Sequence, residues 1–199
     1  MSRESSQKIV DMLHEMDQRA AYALMEEDYD KALGMYKEIL SAQEALKLEK
    51  LCGHTMLNMA NIYLIKEDFD TAMEYIEKVS QIKIVMKDDV DRGNIEMFRA
   101  NALFMYSDAK EAEKILLSEL KKNKNHTSCG KMQLILYSYY MRENMKTKAR
   151  TILEKAIGSF RVSGNKDELK RALTYRMNYF LSVGQPQYAK LDEAEIARI

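Results

Sequence analysis

The sequence predicts an all-α protein, a solenoid of stacked helical hairpins, and three observations carry that prediction. One Pro and seven Gly stand among 199 residues, too few turn formers for the many short strands of a sandwich or barrel. Apolar residues recur at helical spacing. Met56, Met59, Ala60 and Tyr63 fall at i, i+3, i+4 and i+7, and after Lys66, Glu67 and Asp68 the stripe restarts with Phe69, Ala72, Met73, Ile76 and Val79. That helix-turn-helix unit then repeats: an alanine follows each turn at Ala32, Ala72, Ala112, Ala149 and Ala189, at separations of 40, 40, 37 and 40 residues.

Taken in order, residues 1–7 read as a polar tail, and residues 8–199 as one domain of five hairpins over about 8–47, 48–88, 89–124, 127–164 and 166–199. Twelve residues before each repeat alanine stand Ala20, Ala60, Ala100, Tyr137 and Met177, and nine before it Ala23, Tyr63, Leu103, Tyr140 and Phe180. Four after it come Tyr36, Ile76, Leu116, Leu153 and Glu193. Small residues on both sides of a turn, as at Ala60 and Ala72, let the two helices approach closely. In the second hairpin, residues 81–86 are expected to continue the helix until Asp88 and Asp89 break it. A hairpin alone leaves an apolar face uncovered, so the five must stack, with caps at the ends. The last helix, 187–199, carries Asp192, Glu193, Glu195 and Arg198 and reads as a water-facing cap, Glu193 standing where Ile76 stands in the second repeat.

Composition narrows the function classes. Thirty-one basic and 31 acidic residues balance, so no global field draws the chain to nucleic acid or to a membrane surface. Two cysteines, Cys52 and Cys129, are too few for a disulfide framework and suit a reducing compartment. The N-terminal residues have no apolar core of signal-peptide length, and the longest mostly apolar run, 132–141, contains Ser138 and three tyrosines. The expectation is a soluble, cytoplasmic protein.

These hairpins resemble the tetratricopeptide repeat family, most closely in Ala60, Tyr63, Asp68, Phe69, Ala72 and Ile76, and also in Tyr29, Asp30, Ala32 and Tyr36. The resemblance covers roughly residues 8 to 199 and implies a right-handed α-solenoid. The family's turn Gly is present only as Gly184; Glu27, Glu67, Ser107 and Asn144 replace it elsewhere, and the late Pro is missing. The usual repeat is about 34 residues. Six more add about 9 Å of helix per hairpin at 1.5 Å per residue. That longer period resembles the branch found in cell-polarity adaptors and in bacterial receptors for signalling peptides.

A second stripe runs along the first helix of each hairpin, and in proteins of this family that face lines a concave peptide-binding groove. In repeat two it is His54, Leu57, Asn61 and Leu64, at i, i+3, i+7 and i+10. Its equivalents are His14, Asp17, Ala21 and Leu24; Asn94, Met97, Asn101 and Phe104; Lys131, Leu134, Ser138 and Met141; and Arg171, Thr174, Asn178 and Leu181. Asn61, Asn101 and Asn178 form a candidate amide ladder, because an amide offers donors and an acceptor to any extended backbone. Leu57, Leu64, Met97, Phe104, Leu134 and Met141 would supply apolar pockets, and Lys131, Arg142 and Arg171 would orient an acidic ligand end. The family's clamp for acidic chaperone tails needs an early lysine, and Asp17 and Leu57 stand in its place.

Cys52 with His54, and His126 with Cys129, offer zinc-ligand types, but the two pairs open different repeats and are too far apart to share one ion. Tyr140 and Phe180 read as core, while Tyr139 and Tyr179 point elsewhere; 121–124 reads as a basic loop. No nucleotide-binding, metalloprotease or nucleophile-elbow motif is present. The expectation is therefore a non-catalytic scaffold, with no cofactor and no metal, that binds a protein or peptide. The alternatives are a self-assembling structural protein and a receptor for a short signalling peptide.

Overall fold

The computed structural model describes residues 3–106 and 108–199. All regular structure among the described residues is helical, as the sequence predicts. The helices run α1 (Arg3–Met25), α2 (Tyr29–Ala45), α3 (Glu49–Ile65), α4 (Phe69–Ser80), α5 (Lys83–Met86), α6 (Asp89–Tyr106), α7 (Ala109–Lys122), α8 (His126–Arg142), α9 (Lys146–Ser163), α10 (Lys166–Ser182) and α11 (Pro186–Ile196). Of the tail expected at 1–7, residues 1 and 2 lie outside the described residues, and α1 begins at Arg3. The chain divides into two compact units, Met1–Ala102 and Leu103–Ile199. In the first, α1 packs on α2 and α3 on α4; in the second, α8 packs on α9 and α10 on α11.

The turns explain the hairpins. Glu27, Glu67, Asn144 and Gly184 all sit in the left-handed region, with φ of 61°, 61°, 58° and 72°. There the chain reverses through one bond pattern. The next residue's N–H donates five residues back, Asp28 to the Ala23 carbonyl (2.9 Å), Asp68 to Tyr63 (2.9 Å), Met145 to Tyr140 (2.8 Å) and Gln185 to Phe180 (2.8 Å). A side chain in this conformation costs about 1–2 kcal/mol that Gly avoids. The equivalent Ser107 lies outside the described residues. Past the turn, Asp28, Asp68 and Asp108 cap α2, α4 and α7 by accepting from backbone N–H groups, a three-fold use of one device at 40-residue spacing.

The repeat alanines do what their spacing requires. Ala20, Ala32, Ala60, Ala72, Ala100, Ala112 and Ala149 are wholly buried. Around them in the first unit stand Leu13, Tyr36, Ile39, Met59 and Ile62, then Leu57, Ile76, Val79, Val85 and Ile95. Each large apolar side chain so buried contributes roughly 1.5–3 kcal/mol.

Two expectations are corrected. Residues 81–86 do not prolong α4. Its last turn closes at Ser80, whose hydroxyl donates to the Ile76 carbonyl (2.8 Å); Ile82 is extended, and α5 is a separate turn. The break brings Val85 back beneath α3 at Gly53, where an added Cβ would lie only 3.0 Å from Val85 Cγ2. In α11, Glu193 faces water but Asp192 does not. It is 2 % exposed and accepts from Arg176 Nη2 (2.6 Å) and Nε (3.1 Å), while Arg176 Nη1 reaches Glu154 (2.6 Å).

Candidate binding face

In α3, His54 is exposed and Asn61 half-exposed, but Leu57 and Leu64 are buried at 5 % and 6 %. At about 100° per residue those two leucines lie roughly 60–80° round the helix from His54, which turns them into the core. The outward face of α3 is instead Leu51, His54, Asn58, Asn61 and Ile65. Repeat equivalents 40 residues away follow the same rule in α6: Asn94 and Asn101 are half-exposed and Met97 is buried. Leu57, Leu64 and Met97 therefore belong to the packing between helices and offer no surface pocket. Asn58 and Ile65 were missed by the stripe, although Gln18 and Met25, also 40 residues away, repeat their outward positions in α1.

Asn61 and Asn101 hold their amides at the surface without a hydrogen-bond partner among the described residues. Their neighbour His54 is engaged. Its Nε2 lies 2.9 Å from Oδ1 of Asp91, a carboxylate buried to 5 % exposure whose Oδ2 takes Lys50 Nζ at 2.9 Å. Hydrogen bonding to Asp91 holds the Lys50 ammonium above its ordinary pKa. Asp88 completes the cluster, accepting from the N–H groups of Val90 (2.8 Å) and Asp91 (3.1 Å), bonds that lower its carboxyl pKa.

Between α1, α2 and α3 lies a cavity of about 480 Å³ lined by Asp11, Leu13, His14, Asp17, Gln43, Leu51, His54, Thr55 and Asn58. Thr55 and Gln43 form its buried wall, the Thr55 hydroxyl donating to Gln43 Oε1 at 2.9 Å. His14 pairs with Gln18 through Nε2 at 3.0 Å. The hydroxyl pKa of Tyr36 is raised first by burial and then by the charge of Asp17.

The second unit uses its candidate residues differently. Leu134 is buried, and Met141 packs on Tyr179, Phe180 and Ala189. Phe104 stacks on Tyr139 with ring centroids 4.5 Å apart. Tyr139 and Tyr179 are themselves buried, and Tyr140 donates to Glu113 (2.6 Å), burial and that bond raising its pKa. The cations are engaged: Glu168 lies 3.8 Å from Lys131 and 3.2 Å from Arg171, while Arg142 donates to the Phe104 carbonyl (3.2 Å) over the Tyr139 ring. Asn178 is exposed. Lys121 and Lys122 belong to the last turn of α7, not to a loop, with Lys122 3.1 Å from Glu119. Cys129 is buried and donates to the Asn123 carbonyl at 3.3 Å, and burial raises the pKa of Cys52. No three His, Cys, Asp or Glu side chains among the described residues converge to hold a metal ion. No helix among them is long and apolar enough to cross a membrane.

Two solved structures resemble this arrangement. BtubC (BKLC) from P. vanneervenii matches with a TM-score of 0.71 and 16 % identity over 94 % of this chain and 79 % of its own. A Signal Transduction ATPase with Numerous Domains, carrying a tetratricopeptide repeat sensor, from Pyrococcus horikoshii matches with a TM-score of 0.71 and 16 % identity over 96 % of this chain. The chain shares a helical-repeat fold. It spans only 30 % of the ATPase, and at this identity the likeness speaks for the fold alone. No family model matches the chain, and no curated protein does.

Proposed function

We propose that this chain is a non-catalytic scaffold that binds a protein or peptide segment along the outward faces of its first helices, in the cytoplasm. The observation that carries the reading is the pair Asn61 and Asn101. Each sits 40 residues from the other at one repeat position, half-exposed, and neither amide is used by another described residue. An amide inside a helix is disfavoured by several tenths of a kcal/mol relative to alanine, so a repeated one at a surface serves a contact rather than the helix. Both donors and the acceptor remain available to a backbone laid across the face. His54, Asn58 and Ile65 border Asn61 on α3 and give that contact mixed polar and apolar neighbours.

The test is the double variant Asn61→Ala/Asn101→Ala, checked by circular dichroism for an unchanged helix content. Two lost hydrogen bonds of about 0.5–1.5 kcal/mol each weaken a peptide or protein partner by roughly 5- to 150-fold. Unchanged affinity refutes the face.

A second reading, self-assembly, is favoured by Tyr22 at 67 % and Met25 at 78 % exposure on α1. Light scattering that shows only monomer at high concentration removes it. The 40-residue period supports a third, reception of a short signalling peptide, which would use the same face.

A further inference from the structure

Six exposed side chains form a seam along α1. Lys8, Met12, Glu15, Arg19, Tyr22 and Glu26, the last just past the helix end, follow one another at alternate spacings of four and three and lie within about 80° of one another round the axis. The same register is covered in later hairpins. Forty residues on, Cys52, Thr55, Met59 and Ile62 of α3 are buried. There Thr55 bonds Gln43, and Met59 and Ile62 join the cluster of Leu33, Tyr36 and Ile39, all of α2, the second helix of the preceding hairpin. In α8 the equivalents Cys129, Met132, Leu136 and Tyr139 are buried too. On α1 the register is open, with Met12 52 % and Tyr22 67 % exposed. This is a surface shaped to lie against another helix, and its large apolar side chains are left in water.

The charges of the seam select what fits it. A second α1 laid antiparallel, with a two-fold axis level with residue 17, sets Lys8 against Glu26, Met12 against Tyr22 and Glu15 against Arg19, each pairing occurring twice. Parallel pairing would instead set Glu15 against Glu15 and Arg19 against Arg19. Beside the antiparallel seam, Gln18 would meet Gln18 and Met25 would lie opposite Asp11, so none of these positions meets a like charge. Lys8 and Glu26 form no ion pair with another described residue. Glu15 holds Arg19 only at 3.9 Å across one turn, an exposed pair of little strength. Across the axis the two glutamates and two arginines would alternate, each carboxylate between its own Arg19 and that of the second copy.

Resting on the self-assembly reading, we propose that a second copy of this chain packs its α1 on this seam, antiparallel about a two-fold axis, to form an isologous dimer. The Met12 and Tyr22 pairs bury apolar surface at both ends of the central Glu15 and Arg19 cluster, and the charges fix register and direction. One helix pair is a small interface, which makes the dimer weak and dependent on protein concentration. His54, Asn58 and Asn61 stand on α3, outside the seam, so peptide binding is a separate event.

The test is analytical ultracentrifugation of the full chain over a wide concentration range, with charge-reversed variants measured alone and mixed. The parent should show a monomer–dimer equilibrium. Glu15→Arg and Arg19→Glu should each weaken self-association about tenfold or more, because each sets like charges across the axis. An equimolar mixture of those two variants should recover pairing, as should the double variant Glu15→Arg/Arg19→Glu. Tyr22→Ser should also weaken the dimer about tenfold or more. A parent that stays monomeric throughout overturns both the seam and the self-assembly reading. A parent that associates, with either charge reversal associating as strongly or the mixture failing to recover pairing, overturns the seam and leaves self-assembly to another face. The substituted side chains are exposed, so each variant should melt as the parent does, and the melting curves confirm that folded chains are compared.

Discussion

Gly130 and Gly158 lie in facing helices of one hairpin, and changing each to alanine should move stability in opposite directions. Alanine is about 1 kcal/mol better than glycine inside a helix, so with nothing else in play both changes would stabilise. At Gly158 nothing lies within 4 Å of the added Cβ. Gly158→Ala should therefore gain about 0.5–1 kcal/mol. At Gly130 the added Cβ would stand 2.4 Å from Cε1, 2.6 Å from Cζ and 2.8 Å from Cδ1 of Phe160. That ring is wholly buried. Overpacking of this kind costs about 1–3 kcal/mol, and three ring atoms under 3 Å put the cost at the upper end. After the helix gain, Gly130→Ala should lose about 1–2 kcal/mol, leaving the two variants about 1.5–3 kcal/mol apart. Urea unfolding followed by circular dichroism at 222 nm measures both on the same transition. A Gly130→Ala protein as stable as Gly158→Ala would refute the close approach of α8 to α9 at Phe160.

Two further predictions concern buried charge and caps. Arg176→Ala leaves Asp192 buried without its partner and should cost about 3–5 kcal/mol in urea unfolding, whereas Arg176→Met with Asp192→Leu should recover most of that loss. Asp88→Ala removes the acceptor at the start of α6 and should cost about 1 kcal/mol at neutral pH. Because the folded-state pKa of Asp88 is lowered, its contribution is present above the unfolded carboxylate value near 3.9 and fades as pH falls through the folded value. The difference between parent and Asp88→Ala should therefore be constant from pH 7 to 5 and shrink below pH 4; a difference that grows on acidification would contradict the cap.

The repeat was legible because its positions are set by steric necessity. Where two helices meet closely only a small side chain fits, and Ala32, Ala72, Ala112 and Ala149 record those meetings at near-constant spacing. The break after α4 was not legible. Residues 82–86 are apolar enough to continue a helix, and what their spacing does not announce is the space that Gly53 leaves for Val85, a contact between helices. Asp192 was misread for a similar reason: a carboxylate on a terminal helix reads as solvated until Arg176 is seen beneath it.

The site was legible in part, and the missing part has one cause. Reading along a single helix found Asn61 and Asn101, because a side chain on an outward stripe announces itself by register. It placed Leu57 and Leu64 on that stripe as well, since a spacing of three or four tolerates a drift of tens of degrees that decides between groove and core. Gln43 could not be found this way, for it comes from α2 and reaches the cavity only through its bond with Thr55 of α3. Glu168, by contrast, stands three residues before Arg171, close enough in sequence to suggest the pair that dampens the late cations. The same limit applies to charge. A net charge of zero predicts no long-range attraction, and that holds for the field far from the surface. It says nothing of which few side chains the fold brings together within hydrogen-bond range, as Lys50, His54, Asp88 and Asp91 are.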